Sequence, residues 1–299
     1  NIVYEINVNV EISRYIHQLE YESGIKIKKK ILANPIEVNP SHPILIHKSP
    51  EVLARLHRFE VIDGEWTPRL TPSALDTYLY CRLRFYFKYV QELYEPDEMQ
   101  EELSPMVFGN ILHDTMEILY ANAIKKQKRD VIDPNDFFGL EADIDGAVNR
   151  AFIQHYSVKY EKKFKLEGRN DIAEEIVKKT ARQILKVDQQ YAPFRILGLE
   201  TSTRDGYKID FPIEIEEKRT VVGLKGKIDR LDQKNGTVRV IDYKTGKDSR
   251  EYTTMEALID RNDDKRNKAA FQVFFYSYLF YKTYKEEYDR LEPGLFNSR

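Results

Sequence analysis

Apolar residues recur at helical spacing in four long segments of the chain. In the first, from about residue 104 to 128, they form a stripe with the 3.6-residue period of an α-helix, made up of Phe108, Ile111, Leu112, Met116, Leu119 and Ala123. His113 lies directly beside this stripe. Three further helices are predicted, the middle one with Asn170 as its N-cap, over about 139–164, 171–191 and 264–284.

The region after Arg195 instead carries the patterns that are typical of strands. It contains RILGLET, then YKIDFPIEIE, then a segment from Val221 to Gly246 that reads as two strands. The dipeptide Asn235-Gly236 predicts a two-residue hairpin turn, because a type I′ turn needs positive φ at both central residues. Residues 3–12 also alternate and predict a strand near the start of the chain.

The register of this hairpin follows by counting outward from its turn. Asp229 then lies opposite Asp242, and Lys244 projects from the same face as Asp242, since side chains alternate with a period of two. On the other face Arg239 pairs with Asp232. Two carboxylates about 5 Å apart repel by roughly 3 kcal/mol at an effective dielectric constant near 20. A bound divalent cation would relieve that repulsion, and an ordinary surface hairpin with solvated acids is the alternative.

The order of elements, helices followed by strands and a last helix, predicts a sheet flanked by helices. Residues 1–66 form a separate proline-rich segment, the end of a preceding domain or a linker, and residues 67–299 form the main domain. The chain lacks an initial methionine and ends shortly after Pro293-Gly294, which predicts a fragment of a longer protein.

Composition excludes several classes of protein. The 299 residues are 41% hydrophobic, enough for a proper core, and the net charge of −2 gives no general sign of a nucleic-acid partner. Cys81 is the single cysteine, which excludes an internal disulfide framework and predicts a reducing, cytoplasmic setting. No run approaches 18 consecutive apolar residues, so no membrane span is predicted.

A segment dense in aromatic residues follows Thr71-Pro72, which predicts a capped helix start. It carries the basic residues Arg82, Arg84 and Lys88 among Tyr78, Tyr80, Phe85, Tyr86, Phe87 and Tyr89. The aromatic rings either pack in the core under basic side-chain stems or form a stacking platform for a single strand, and core packing is the default interpretation. Cys81 is by default a buried structural thiol.

Four short motifs follow one another between about residues 70 and 282. They are FGNILHDT with His113, GKIDR with Asp229 and Arg230, DYKTG from Asp242 to Gly246, and Gln272 with Tyr276 four residues later. In this order they resemble the motifs of the PD-(D/E)XK nuclease superfamily, in particular its RecB/AddB-type branch. The upstream LTPSALDTYLYCRLRFYF is similar to the lead-in of that branch.

The resemblance implies an α/β fold with a restriction-endonuclease-like core, a central mixed β-sheet flanked by helices, and an added N-terminal helical region. It implies the metal ligands His113, Asp229, Asp242 and the backbone carbonyl of Tyr243. The catalytic residues would be Asp229, Asp242 and Lys244. Substrate binding would involve Gln272, Tyr276 and Arg230, with Gln272 and Tyr276 acting on either the substrate or Lys244.

The implied activity is Mg²⁺- or Mn²⁺-dependent DNA exonuclease action within a helicase–nuclease that processes double-strand breaks. Many members of that branch hold an iron–sulfur cluster on four cysteines, but Cys81 alone cannot, so a cluster is not supported in this chain. The main alternative is an inactive nuclease-fold module that binds DNA or acts as a scaffold. Another is a phosphatase or other hydrolase using the same acids. His155 is interpreted as structural. Glu200, in the first strand after Arg195, could contact a metal or a polar neighbour but is not selected as a site residue.

Overall fold

A computed structural model describes residues 13–24, 44–62, 67–94, 103–160, 169–200, 206–215, 217–246, 249, 251–263, 266–284, 288 and 290–297. The chain forms two compact units, Asn1–His47 and Lys48–Arg299. In the first unit the structure describes helix α1 (Arg14–Glu22), none of whose residues is buried. The strand predicted over residues 3–12 lies outside the described residues.

The helices of the second unit begin at capped positions that the sequence signals. The hydroxyl of Thr71 accepts from the backbone N–H of Ala74, and that of Ser104 accepts from Val107, each with proline at the first helical position. The helices are α2 (Pro50–His57), α3 (Pro72–Tyr80), α4 (Arg82–Phe85, continued by a π turn Tyr86–Val90), α5 (Pro105–Gln127), α6 (Phe137–Ala142), α7 (Ile144–Tyr160), α8 (Arg169–Tyr191) and α9 (Lys268–Tyr284).

The four long helices expected from the apolar periodicity are present, with two differences. The segment predicted as one helix over 139–164 is divided at Asp143 into α6 and α7. Helix α8 begins at Arg169, so the prediction of Asn170 as its N-cap is wrong.

The central sheet contains five strands and mixes both directions. Its strands are β1 (Val131–Ile132), β2 (Phe194–Leu199), β5 (Arg230–Lys234), β6 (Thr237–Lys244) and β7 (Arg290–Asn297), in the spatial order β1-β2-β5-β6-β7. Neighbours pair antiparallel except β6 and β7, which are parallel. Strand β7 was not predicted, because Pro293 and Gly294 argue against a strand interior.

A second sheet consists of the long hairpin formed by β3 (Tyr207–Ile215) and β4 (Lys218–Gly226). Residues on both sides of 63–66 lie along β4: the N–H of Val61 donates to Val221, and the N–H of Leu70 donates to Gly223. Residues on both sides of 63–66 thus belong to the compact unit Lys48–Arg299, and the domain boundary after residue 66 stays a prediction.

The central sheet is covered on both faces. Helices α5 to α8 pack on one face against Ile241 and Tyr243 of β6. Helix α9 packs on the other face against Leu231, Val238 and Val240. This alternation along β5 and β6 confirms the predicted mixed α/β architecture, a central sheet flanked by helices. No described helix has the length and apolar character needed to cross a membrane.

Candidate active site

The hairpin β5–β6 has the predicted turn and register. Asn235 and Gly236 both have positive φ, +50° and +78°, and the ladder runs from Lys234 opposite Thr237 to Arg230 opposite Ile241. Arg239 lies opposite Asp232 and donates two hydrogen bonds to its carboxylate, at 2.7 and 2.8 Å.

The predicted opposition of Asp229 and Asp242 lies just beyond the paired residues, since the ladder keeps the predicted register and ends at Arg230 opposite Ile241. The first strand of the expected hairpin is broken, because β4 ends at Gly226 and β5 begins at Arg230. Asp229 therefore lies in the bend beyond the ladder, where its carboxylate accepts a hydrogen bond of 2.8 Å from the N–H of Tyr243.

Helix α5 brings His113 to this same strand end. Its Nε2 lies 2.7 Å from the carbonyl oxygen of Tyr243, and its Nδ1 lies 3.3 Å from Oδ1 of Asp229. Gly109 of this helix faces Thr245 just beyond the strand end, where a Cβ would stand 3.4 Å from the threonine hydroxyl, an ordinary van der Waals contact. The structure thus brings together three of the four predicted metal ligands, the Tyr243 carbonyl among them.

Asp242 begins a chain of polar contacts that ends on α9. Its Oδ2 lies 2.8 Å from Nζ of Lys244, and Lys244 donates a 2.8 Å hydrogen bond to the amide oxygen of Gln272. The amide nitrogen of Gln272 in turn donates to the hydroxyl of Tyr276 at 2.8 Å. Tyr276 is buried, so this arrangement favours a role for the pair in positioning Lys244.

The electrostatics of this cluster depart from those of a solvated surface. Burial and the nearby charge of Asp229 raise the pKa of Asp242 to about 6, although Lys244 acts in the opposite direction. Burial would lower the pKa of His113, but the negative charges of Asp229 and Asp242 outweigh it and raise that pKa to about 9. The side chain of Asp242 is fully buried, which excludes the alternative of solvated acids on a surface hairpin.

Glu200, which the sequence analysis did not select as a site residue, lies with this cluster. One atom each of Glu200, His113 and Asp229 lie within 4.8 Å of one another, and Glu200 is also hydrogen-bonded by Lys227. Glu200 directly follows β2, whose Leu199 pairs with Arg230 beside Asp229. That pairing passes through a bulge near Ile196 and Gly198, so counting along the sequence cannot find it.

Arg230 does not belong with the predicted substrate-binding residues. Its side chain is fully buried, and two of its nitrogens donate to the carboxylate of Asp188 at 2.7 and 2.8 Å. It is enclosed by the aromatic rings of Tyr120, Phe194, Tyr243 and Phe296, with centroids 4.8 to 5.7 Å from its guanidinium carbon. No DNA strand can reach it, and we withdraw that assignment.

Arg230 is instead part of a buried ion network behind the strand end. Asp188 of α8 also accepts a 2.6 Å hydrogen bond from the hydroxyl of Tyr120, and Asp232 lies within 3.1 Å of Arg230. Arg239 completes the network through Asp232. Buried charges persist only when paired in this way, so the network holds α8 against β5 and β6.

Three other predicted residues have environments that differ from expectation. His155 keeps its structural interpretation but has an acidic partner, since its Nε2 lies 2.8 Å from Oδ2 of Asp114 on the neighbouring helix α5. Cys81 is half-buried, which corrects the buried thiol, and its sulfur accepts from the N–H of Arg84 at 3.5 Å. Gly226, the first residue of the GKIDR motif, permits the close packing of α9, because a Cβ there would stand 2.6 Å from Leu279 and 2.8 Å from Tyr276.

The default interpretation of the aromatic segment is also corrected. None of its six aromatic side chains is buried. Tyr78, Tyr80 and Phe87 are exposed, whereas Phe85 is half-buried between the rings of Phe59, Tyr78 and Tyr89.

The residues at the strand end fit a divalent cation. Both carboxylate oxygens of Asp242 are buried and lack a hydrogen-bond donor among the described residues, apart from the ion contact with Lys244. Carboxylate and carbonyl oxygens are the ligands that Mg²⁺ and Mn²⁺ prefer, and one imidazole suits Mn²⁺. Asp229, the carbonyl of Tyr243, His113 and Glu200 supply these ligand types at one place, and Asp242 directly precedes Tyr243 on the same strand.

A protein-family model matches most of the chain. The model of the PD-(D/E)XK nuclease superfamily matches residues 69–298. The matched range begins just before α3 and extends into β7, so it contains the whole central sheet and the cluster around Asp242. It agrees with a restriction-endonuclease-like core. No curated protein matches the chain.

Proposed function

Because the chain belongs to the PD-(D/E)XK nuclease superfamily, we propose that it is a metal-dependent nuclease that hydrolyses phosphodiester bonds of DNA at the cluster around Asp242. One observation carries the proposal. The carboxylate of Asp242 is fully buried with an ion contact to Lys244 as its one side-chain partner among the described residues, and a histidine, a second aspartate and a backbone carbonyl lie nearby. A folded protein rarely keeps a buried acid in that state for stability alone, since a single ion contact offsets only part of the cost of its burial.

The cation would be held by Asp242, Asp229, the carbonyl of Tyr243 and His113, with Glu200 near enough to contribute. A divalent cation supplies charge that polarises a phosphoryl oxygen. His113 must lose its proton to become a ligand, and its raised pKa means that a proton competes for that position at neutral pH.

Lys244 is the proposed catalytic lysine. Its ammonium group lies between Asp242 and the amide oxygen of Gln272, where it can orient a water molecule or neutralise charge that develops on the phosphate. Gln272 and Tyr276 act in this proposal by holding Lys244 in place.

The finer features follow from the four motifs and their order. We propose exonuclease action with Mg²⁺ or Mn²⁺, in a cytoplasmic helicase–nuclease that acts in double-strand break repair and recombination. The net charge of −2 is compatible with a partner that delivers the DNA strand, because such a module needs no strongly basic surface of its own.

Hydrolysis of end-labelled linear DNA tests the proposal. The wild-type chain is expected to release nucleotides with Mg²⁺ or Mn²⁺ and not with EDTA. Lys244→Ala and Asp242→Asn should each lower the rate by about 10³-fold, or roughly 4 kcal/mol, since each removes charge at the reacting phosphate.

Lys186→Ala is the matched control, because Lys186 is exposed on α8, and its rate should equal that of the wild type. Unchanged hydrolysis in both site variants would exclude the proposed site. Binding of DNA by the wild-type chain without any hydrolysis would favour the inactive binding module.

A further inference from the structure

An exposed aromatic and basic surface lies one turn of α9 away from Gln272, the residue that contacts the proposed catalytic lysine, Lys244. It consists of Tyr78, Tyr80, Arg82, Arg261 and Lys268, and we call it the aromatic platform. Tyr80 and Tyr78 expose 66% and 40% of their surface and lie on the same helix, α3. Rings this exposed on a rigid helix end offer stacking faces to a ligand.

The cations of the platform are arranged around these two rings. The guanidinium of Arg82 lies 5.6 Å from the ring centroid of Tyr78, and that of Arg261 lies 5.9 Å from the same ring. The ammonium group of Lys268 lies 5.1 Å from the ring of Tyr80. Rings and cations therefore form one surface, although they come from α3, α4, the connector before α9, and α9 itself.

Two of these cations have no anionic partner among the described residues. Neither Arg82 nor Arg261 makes an ion pair there, and Arg261 donates only to the carbonyl of Leu79, at 3.3 Å. The nearby Asp76 is already paired with Arg266 at 2.9 Å and contacts Lys268 at 3.4 Å. The platform is locally positive in a chain whose net charge is −2, so its charge complements phosphates.

Helix α9 connects the platform with the proposed active site. Lys268 precedes Gln272 by four residues, so the two side chains share a face and lie about 6 Å apart along the helix axis. Gln272 contacts Lys244 directly. A strand that passes Lys244 can therefore continue along this face of α9 to Tyr80 without leaving the surface.

We propose that the aromatic platform binds single-stranded DNA adjoining the scissile phosphate, with bases stacked on Tyr80 and Tyr78 and phosphates held by Arg82, Arg261 and Lys268. Stacking requires unpaired bases, which a duplex does not offer, so the platform selects a single strand. The inference rests on the proposed nuclease function for its substrate. Binding at the platform is nevertheless separate from hydrolysis and can be measured without it.

The test is fluorescence anisotropy of a labelled oligothymidylate with the full chain in EDTA, where hydrolysis does not interfere. Tyr78→Ala/Tyr80→Ala should weaken binding by about 10-fold or more, since one stacked base contributes about 1–3 kcal/mol. Tyr78→Phe/Tyr80→Phe should bind as well as the wild type, because both rings are kept. Arg82→Ala/Arg261→Ala should weaken binding. The slope of log K against log[salt] should also become shallower by about 0.7 for each phosphate contact that is lost.

Phe138→Ala is the matched control, since Phe138 is an aromatic residue 74% exposed on α6, and its affinity should not change. The single variant Tyr80→Ala guards against misfolding of the double variant, because its ring is the more exposed. The inference is overturned if the wild type does not bind the oligothymidylate, if the alanine variants bind it normally, or if only duplex binding is weakened. Binding at the platform is tested by the alanine variants of the platform, and hydrolysis is tested by Lys244→Ala. The two proposals can therefore fail independently.

Discussion

The two faces of the hairpin β5–β6 carry two charged clusters that differ in how fully their carboxylates are hydrogen-bonded. On one face Arg230, Arg239, Asp188 and Asp232 form a network whose carboxylates all accept hydrogen bonds from arginine. At the strand end, Asp242 is as deeply buried but has only the ion contact with Lys244. The two clusters are neighbours in sequence, since Arg230 directly follows Asp229.

The difference separates a structural cluster from a functional one. Opposite charges that neutralise and hydrogen-bond each other stabilise one arrangement and leave no capacity for a ligand. Acids held close together with too few donors keep a capacity to bind a cation, and the pKa of Asp242 is raised in such a setting. Burial and charge alone do not tell the two clusters apart, whereas the hydrogen bonds that their carboxylates accept do.

Of the substitutions that test this comparison, the one with the largest expected effect lies in the buried ion network of Arg230, Arg239, Asp188 and Asp232. Asp188→Ala removes the carboxylate that accepts two hydrogen bonds from Arg230 and leaves this buried guanidinium with the contact to Asp232 alone. We expect the free energy of unfolding to fall by about 3–5 kcal/mol, measured by urea denaturation.

The exposed pair of Asp143 with Lys126 supplies the control for Asp188. Asp143→Ala should cost less than about 1 kcal/mol, because solvent screens an exposed pair. A similar small cost for Asp188→Ala would mean that the network does not fasten α8 to the sheet.

A smaller effect is expected from Gln272, which connects α9 with Lys244. Gln272→Ala leaves Lys244 without its amide acceptor, so we expect kcat for DNA hydrolysis to fall by about 10–100-fold, as for other residues that orient reacting groups. KM should change little if Gln272 acts through Lys244.

Steady-state kinetics on linear DNA distinguish the two roles considered for Gln272. The control is Gln183→Ala, at an exposed position of α8. A raised KM with unchanged kcat would show that Gln272 contacts the substrate instead of positioning the lysine.

Local sequence signals predicted the elements on which this site is built. The Asn235-Gly236 turn set the register of β5 and β6, and the apolar period of α5 placed His113 beside a buried stripe. Both depend on short-range geometry, so counting residues is sufficient.

Long-range contacts explain what the sequence did not reveal. Glu200 reaches the site through pairing of β2 with β5 across a bulge, and Arg230 is buried by α8, about 40 residues earlier in the chain. The break at Gly226 depends on the close approach of α9. Each of these outcomes is decided by tertiary packing, which overrides the local pattern.

The smallest expected effect is on the pH dependence of the free energy of unfolding, measured in EDTA so that no divalent cation occupies the cluster around Asp242. The pKa of Asp242 is about 6 in the folded chain against an ordinary value of 3.8, so the folded state holds this proton more tightly. Stability contributed at Asp242 is therefore lost as the pH rises from about 4 through 6. His113 acts in the same direction, because its pKa of about 9 exceeds 6.5 and its contribution is lost as the pH rises through 9.

Asp242→Asn separates the cost of this buried charge from the rest of the fold. In EDTA at pH 8 it should raise the free energy of unfolding by about 1–3 kcal/mol, since each unit of pKa shift corresponds to about 1.4 kcal/mol. It should also flatten the pH dependence between pH 4 and 6. Mn²⁺ should stabilise the wild type more at pH 8 than at pH 5, because the cation replaces protons on its ligands, and it should stabilise the variant less. If Asp242→Asn instead destabilised the chain as Asp188→Ala does, the strand-end cluster would be structural, and the distinction between the two faces of the hairpin would fail.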